Sequence, residues 1–254
     1  MCLIGIAFRT HPKHELVIAA NRDEFHTRPS AGAAAWADRP GIFGGRDLSQ
    51  KGSWLAVSGQ GRLAAVTNVR RMVPPNPGTP SRGKLVADFL AGAASAESYA
   101  ALLDEEAGNY AGFNLLLYDG AALLYVTNSP EFRVEALAPG IHTVSNATLD
   151  TPWPKSKRLH AALDAWGKDS WESFTPLFKA LTDRTPAADA ELPSTGLGKS
   201  MEKMLSAPFI VSPNYGTRCS TIVSFSAGKI EFNEKRFEAN GLESGRTEKQ
   251  LPIG

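Results

Sequence analysis

The first twenty residues predict a buried β-hairpin, and this start limits the folds that are open to the chain. Residues 2–8 are apolar with small members, which indicates a buried strand. A turn signal at 10–13 separates this run from a second apolar run at 16–20. No Gly-rich turn opens a helix after the first strand, so the sequence excludes a doubly wound dinucleotide-binding fold.

The remaining pattern predicts an α+β domain with antiparallel strands at both ends and helices in the middle. Glycines punctuate the early strands, as expected for a meander, while helical periodicity follows Gly83 and returns in three later segments. The predicted strands are 42–43, 54–57, 63–68, 114–118, 123–126, 132–137, 141–145, 219–225 and 230–233; the later helices are 96–107, 155–166 and 171–181.

We expect one domain over residues 1–254. A Pro-rich loop at 72–80 cannot be helix or central strand and is a candidate lid. Residues 183–200 contain prolines and glycines and read as a mobile loop, and the polar tail 240–254 is expected to fray.

Composition excludes several classes of partner. The 27 basic and 26 acidic side chains leave a net charge of +1, so no global field would hold nucleic acid or an anionic membrane. No apolar run approaches the length of a membrane span, and the first twenty residues lack the pattern of a secretory signal. The two cysteines cannot form a disulfide framework, so we expect a reducing, cytoplasmic location. Oligomeric state stays open.

Cys2 is the first candidate for chemistry. Aminopeptidase removes an initiator methionine before a small residue, and Cys2 would then carry a thiol and a free α-amine. The amine has a reference pKa near 8 and the thiol near 8.5, so the amine can accept the proton of the thiol. Such a residue supplies nucleophile and base together. The alternative is that Cys2 is a small apolar residue packed at a strand edge.

Polar residues at strand ends extend this hypothesis. Residues 21–24, Asn-Arg-Asp-Glu, follow the second strand, where an exposed turn is the alternative interpretation. Acyl transfer needs an oxyanion donor, and Asn68 and Asn146 stand at two strand ends, although asparagine there is commonly a turn former. His11 and His14 lack the spaced partners of a zinc site, and no metal is predicted.

Many motifs, taken together and in order, resemble the NRDE family, also called the transport and Golgi organisation protein 2 family. The similarity covers about residues 1–235. The matching segments are Met1-Cys2-Leu3, Ala20 to Glu24, Arg28-Pro29, Gly45-Arg46-Asp47, Trp54-Leu55, Thr67 to Arg70, Ser81-Arg82-Gly83, Gly112 to Leu115, Ser145 to Lys155, Tyr215 to Arg218 and Ser220-Thr221.

That family in turn resembles the N-terminal nucleophile hydrolases, especially choloylglycine hydrolases and penicillin V acylases. The resemblance implies a four-layer αββα sandwich, with Cys2 as nucleophile. It also implies that an Arg/Asp pair lies beside the thiol, with two asparagines and a late arginine in the site. These catalytic residues correspond to Arg22, Asp23, Asn68, Asn146 and Arg218, and the binding candidates in the matched motifs are Asn21, Glu24, Arg46, Arg70, Arg82 and Asn114.

One departure from the hydrolases bears on catalysis. Two residues separate their arginine and aspartate, whereas Arg22 and Asp23 are adjacent here. Because neighbouring strand residues face opposite sides of a sheet, we expect only one of these two side chains to face the thiol.

Two functions remain open at this point. The first is a Cys2-dependent amidohydrolase or acyltransferase that acts on a small acyl or amide substrate and requires no cofactor. The second is a non-catalytic protein that uses the same pocket to hold haem or an acyl-coenzyme A, as members of the family have been linked to both. A scaffold with a vestigial pocket is a third interpretation.

Overall fold

The computed structural model describes residues 2–70, 76–169 and 173–254 of the 254-residue chain, which divides into two compact units. The first unit consists of Met1–Thr27 and Pro139–Gln250, and the second of Arg28–Ala138 and Leu251–Gly254. The N-terminal hairpin therefore belongs to the same unit as the C-terminal part of the chain.

Antiparallel strands and short helices make up both units. In chain order the strands are β1 (Cys2–Phe8), β2 (Leu16–Phe25), β3 (Ser30–Ala35), β4 (Ile42–Asp47), β5 (Leu55–Ser58), β6 (Arg62–Asn68), β7 (Phe113–Tyr118), β8 (Leu123–Thr127), β9 (Arg133–Ala136), β10 (Gly140–Val144), β11 (Tyr215–Ser226), β12 (Lys229–Phe237) and β13 (Glu243–Pro252), and the helices are α1 (Gly83–Ala91), α2 (Ala96–Glu106), α3 (Pro154–Lys168), α4 (Thr175–Leu181) and α5 (Lys199–Leu205).

The first unit is a 6-stranded sheet in the order β10-β1-β2-β11-β12-β13. Helices α3 and α4 cover one face, where Leu3 and Val17 of the sheet share an apolar core with Leu159 and Leu163 of α3. A Cβ on Gly5 would lie 2.6 Å from Leu163 Cδ1, so the glycine permits close approach of α3 to β1. The odd-numbered residues at the start of β1 and β2 therefore face the helices.

The second unit is a 7-stranded meander, in which β3 to β9 pair in chain order. Helices α1 and α2 pack on one face of it, and their buried residues Leu85, Phe89 and Leu103 join Leu115 and Leu117 of β7 in one core. Each unit thus has one sheet and one set of helices, which are the components of the predicted αββα sandwich, and the predicted α+β class is confirmed. Among the described residues, no helix combines the length and apolarity needed to cross a membrane.

The interpretation of residues 21–24 as a turn was wrong. Strand β2 continues to Phe25, and these residues pair with β1 on one side and with β11 on the other. Polar side chains are tolerated in this interior strand because other buried groups hydrogen-bond to them, which a sequence pattern does not reveal.

Other differences involve strands and helices with weak sequence signals. Strand β3, with the sequence SAGAAA, was not predicted, because alanine and glycine carry little β propensity. The prediction that the tail 240–254 frays was also wrong, since most of it forms β13 at the edge of the first sheet. In the predicted mobile loop 183–200, Asp189–Glu191 forms a 3₁₀ turn and α5 begins at Lys199. Part of the predicted lid, 72–75, and residues 171–172 of the predicted fourth helix lie outside the described residues.

Two histidines at the turn between β1 and β2 pack against α3. The His11 ring stacks on Trp166 at a centroid distance of 4.5 Å and lies 4.8 Å from the ring of His14. The His14 ring also lies 5.7 Å from that of Phe174. Burial lowers the pKa of both histidines, and the charge of Lys13 lowers each further. Both rings therefore favour the neutral form in the folded protein.

We predict that these histidines make the protein less stable as the pH falls below about 6.5. Their pKa is lower folded than unfolded, so the unfolded chain takes up protons first, and stability is lost between the unfolded and the folded pKa. Urea unfolding between about pH 8 and about pH 5 should show this loss. A His11→Gln/His14→Gln variant should show a flatter dependence; equal slopes in the two proteins would contradict the prediction.

Candidate active site

Cys2 is the first residue of β1 and lies directly opposite Arg22 of β2. Arg22 is in turn opposite Cys219 of β11. Directly opposed residues of antiparallel strands project to the same side of a sheet. Cys2, Arg22 and Cys219 therefore form a row on the face away from α3 and α4, with the buried arginine (6% exposed) between the two thiols.

Asp23 lies on the other face, which α3 and α4 cover. It is 1% exposed and pairs with Thr217, whose hydroxyl donates a 2.7 Å hydrogen bond to Asp23 Oδ1. The main chain of Asp23 still contacts Cys2, because its N–H donates to the Cys2 thiol. The adjacent residues thus contact the site in different ways: Arg22 shares the face of the thiol, and Asp23 contacts the thiol through its backbone.

The thiol of Cys2 is not activated by its surroundings alone. Burial raises its pKa, and the nearby carboxylate of Asp23 adds to the increase. Arg22 and the N–H of Asp23 lower the pKa but do not offset burial. The thiol is therefore protonated near neutral pH, and attack on a carbonyl requires a base.

Lys155 is a buried charge that the sequence reasoning did not select. It lies in the first turn of α3, is 1% exposed, and its positive charge lowers the pKa of Asp23, although burial raises that pKa more. A sequence signal existed, because Pro154 marks the start of the helix. A lysine in a first turn also opposes the helix dipole, which indicates a role other than stabilising the helix.

Arg218 enters the site through a β-bulge. The register of β11 against β2 shifts between Thr217 and Cys219, which leaves Arg218 as the extra residue. Its Nη1 donates to the carbonyl of Phe25 at 3.0 Å. Burial lowers the pKa of Arg218, and the charge of Arg22 lowers it further, so the two guanidinium groups are close enough to interact. Their combined charge suits an anionic group.

Asn146 is joined to the start of β1 through Ser145. The hydroxyl of Ser145 lies 2.7 Å from the Cys2 carbonyl oxygen and 3.3 Å from Asn146 Oδ1. Asn146 is itself buried just beyond the end of β10, which pairs with β1. The structure therefore brings together Cys2, Arg22, Arg218 and Asn146 at one end of the first sheet, with Asp23 behind it.

Asn21 and Glu24 are the other two residues of the Asn-Arg-Asp-Glu motif, and both form hydrogen bonds with groups of the same chain. Asn21 Nδ2 donates to the carbonyls of Leu181 and Pro208 at 2.7 and 2.8 Å, and its Oδ1 accepts from Ser220 Oγ at 2.6 Å. Glu24 Oε1 accepts from the N–H of the next residue. Asn21 thus joins the sheet to the chain segments that cover it, and the predicted binding role of both residues stays a prediction.

The two asparagines assigned to the second unit differ in burial. Asn68 is the last residue of β6 and partly buried. Asn114 is fully buried, where its Nδ2 donates to Thr67 at 3.0 Å and its Oδ1 accepts from Tyr125 at 2.7 Å. These bonds fix Asn114 within its own sheet. The oxyanion role of Asn68 and the binding role of Asn114 stay predictions.

The three arginines predicted to bind ligand also belong to the second unit. Arg46 forms an ion pair with Asp38 at 2.6 Å. Arg82 precedes α1, and its Nη1 donates to the carbonyl of Gly112 at 3.1 Å. Arg70 is partly buried and follows β6. Their predicted role in ligand binding stays a prediction. Within the described part of the chain, no group of three or more His, Cys, Asp and Glu side chains is placed to hold a metal ion.

Comparison with solved structures identifies the fold. A Caenorhabditis elegans N-acylethanolamine-hydrolyzing acid amidase ortholog matches with a TM-score of 0.52 and 9% identity, covering 87% of this chain and 92% of that one. The C2A mutant of a conjugated bile acid hydrolase from Clostridium perfringens matches with a TM-score of 0.52 and 10% identity, over 100% of this chain and 92% of that one. The chain has the fold of the N-terminal nucleophile hydrolases, as the resemblance implied.

Comparison with known sequences identifies the family. The family model described as Transport and Golgi organisation 2 matches residues 1–239. The human Transport and Golgi organization protein 2 homolog is 34% identical over 260 residues, and the Drosophila melanogaster protein of that name is 31% identical over 264 residues; each match covers 92% of both proteins. The chain belongs to the transport and Golgi organisation 2 family.

We predict that Cys2 is alkylated faster than Cys219 at neutral pH, by about tenfold or more. Cys219 is 3% exposed and burial raises the pKa of its thiol, whereas Cys2 is partly accessible. Peptide mass spectrometry after timed iodoacetamide labelling measures both rates. A Cys219→Ala variant should keep the fast phase, and denaturant should bring the two rates together. Equally slow labelling in the folded protein would count against Cys2 as nucleophile.

Replacement of Asn21 by alanine should destabilise the protein by roughly 2–3 kcal/mol, because three buried hydrogen-bond partners lose their bonds at once. The exposed Asn214 is a matched control, and Asn214→Ala should leave the free energy of unfolding nearly unchanged. Urea unfolding gives both values. A similar, small effect for the two variants would show that the network of Asn21 contributes little.

Proposed function

We propose that the chain is a Cys2-dependent amidohydrolase or acyltransferase, active once Met1 has been removed. The observation that carries the proposal is the shared position of Cys2 and buried Arg22 on one face of the sheet, with the N–H of Asp23 on the thiol. This arrangement favours a developing thiolate, because an opposite charge and a hydrogen bond both stabilise the charged form.

The α-amine of the processed Cys2 acts as the base. It takes the proton of the thiol, and Sγ attacks the carbonyl carbon of the substrate to form a tetrahedral intermediate. The C–N bond of the amide then breaks as the resulting ammonium gives its proton to the leaving amine, which leaves a thioester on Cys2. Water completes hydrolysis, and an acceptor amine in its place completes acyl transfer.

The oxyanion and the substrate need separate partners. Asn146 is the oxyanion donor that the first unit offers, because Ser145 ties it to the carbonyl of Cys2. Arg22 and Arg218 recognise an anionic group on the substrate. The names of the structural relatives, an N-acylethanolamine-hydrolyzing acid amidase ortholog and a conjugated bile acid hydrolase, support an amide or acyl substrate of low molecular weight.

A second candidate function is ligand binding without chemistry. The raised pKa of the Cys2 thiol favours it, since a protonated, base-less thiol would act only in packing or as a ligand. Haem or an acyl-coenzyme A is the ligand class that the family resemblance suggests. A cavity of about 340 Å³ in the second unit, lined by Arg39, Lys51 and Lys84, is suited to phosphate groups, although Asp88 pairs with Arg39 and Lys84.

The two functions predict different adducts. Protein whose intact mass shows that Met1 is absent is incubated with N-acyl amides and with acyl-coenzyme A, and the acyl adduct is measured by mass spectrometry. An enzyme should form a thioester in the wild type and in Cys219→Ala but not in Cys2→Ala, and turnover should fall by about 10³-fold or more in Cys2→Ala.

Ligand binding without chemistry predicts a different result. Saturable binding of haem or acyl-coenzyme A, with no adduct and with Cys2→Ala still competent, would replace the enzyme proposal by the binding proposal. If no amide forms an adduct and neither ligand binds, both functions fail.

A further inference from the structure

A buried aspartate of β2 and a buried lysine of α3 lie on the side of the first sheet that α3 and α4 cover. Asp23 and Lys155 are each 1% exposed, and Lys155 is in the first turn of α3, the helix that packs against β1. Burial of a single charge is costly, and lysine and aspartate are almost never fully buried without partners. The charge of Lys155 is the strongest of the influences that oppose the effect of burial on Asp23.

Asp23 is held on three sides by the residues around it. Its carboxylate accepts from the Thr217 hydroxyl at 2.7 Å, and its carbonyl oxygen accepts from the Tyr215 hydroxyl at 3.1 Å. Its N–H donates to the thiol of Cys2. A change in the charge of Asp23 would therefore be transmitted to Cys2 through both the backbone and the electrostatic field.

We propose that Lys155 is the positioning residue of the Cys2 site, keeping Asp23 ionised within the sheet so that the start of β1 and the thiol are held in place. The proposal rests on the proposed function only in taking Cys2 as the reacting group. Lys155 does not touch the substrate in this role; it acts through Asp23.

The test separates charge pairing from packing. In Lys155→Met the carboxylate of Asp23 loses its compensating charge, so its folded pKa rises and the ionised form becomes more costly. The folding equilibrium constant, relative to wild type, should then be about tenfold lower at about pH 8 than at about pH 5. A packing defect alone would cost the same at both pH values. The neutral Asp23→Asn/Lys155→Met variant should lose this pH dependence, and Lys155→Arg should restore the wild-type behaviour.

Alkylation of Cys2 in a Cys219→Ala background gives a second readout that needs no substrate. The uncompensated carboxylate in Lys155→Met repels the thiolate, so alkylation at about pH 8 should slow by about three- to tenfold. The pH–rate profile should also gain an inflection from Asp23, which the double variant should lack. Lys157, exposed on the same helix, is the matched control, and Lys157→Met should behave as wild type in both assays.

Each outcome of these experiments either supports or overturns the proposed role of Lys155. Equal destabilisation of Lys155→Met at both pH values, or an unchanged alkylation profile, would overturn it. If Lys155→Met does not fold at any pH, recovery of folding in the neutral double variant supports the charge pair, and equal failure overturns it. Because neither assay uses a substrate, a failed search for acyl adducts would refute the proposed function without deciding the role of Lys155.

Discussion

The burial of the polar end of β2 is the constraint on which the rest of the first unit depends. Asn21, Arg22 and Asp23 lie in an interior strand, where each unpaired polar group would cost about 1–3 kcal/mol or more. The two faces satisfy them differently. Asn21 and Asp23 bond to groups on the helix-covered face, whereas Arg22 lies beside Cys2 on the other. Strand β2 thereby bonds to the segments that cover one face and places the guanidinium of Arg22 beside Cys2 on the other.

The alternation of β2 places Arg22 and Asp23 on opposite faces, and the bulge in β11 adds Arg218 to this arrangement. Bulges place an extra residue on one strand and often occur next to active sites. Here Thr217 is opposite Asp23 and Cys219 is opposite Arg22, so Arg218 is the extra residue of the bulge. It lies close enough to Arg22 for their charges to interact. Although Arg22 and Asp23 are adjacent, both are next to Cys2: the side chain of Arg22 lies on the same face as the thiol, and the N–H of Asp23 donates to it.

The sequence was informative where the signal was local and weak where it depended on pairing. The apolar hairpin at 2–20, most interior strands and the start of α3 at Pro154 follow from periodicity, turns and Pro at a helix start. Strands β3 and β13 lack an apolar pattern and exist because a neighbouring strand completes their hydrogen bonds. Lys155 was missed for a similar reason. A lysine is expected to be solvated, and Asp23, the carboxylate on which its charge acts, is far from it in the sequence.

Under the proposed function, the chemistry of the site would depend on the removal of Met1 more than on the surroundings of the Cys2 thiol. Arg22 lowers the pKa of the Cys2 thiol, while burial and the charge of Asp23 raise it, and burial dominates. A thiol protonated at neutral pH reacts slowly unless a base is within reach. Under the proposed function, removal of Met1 would create that base on the same residue as the thiol. Under the proposed function, the enzyme and the binding protein would therefore differ by one peptide bond, because the Cys2 thiol would gain its base only when Met1 is removed.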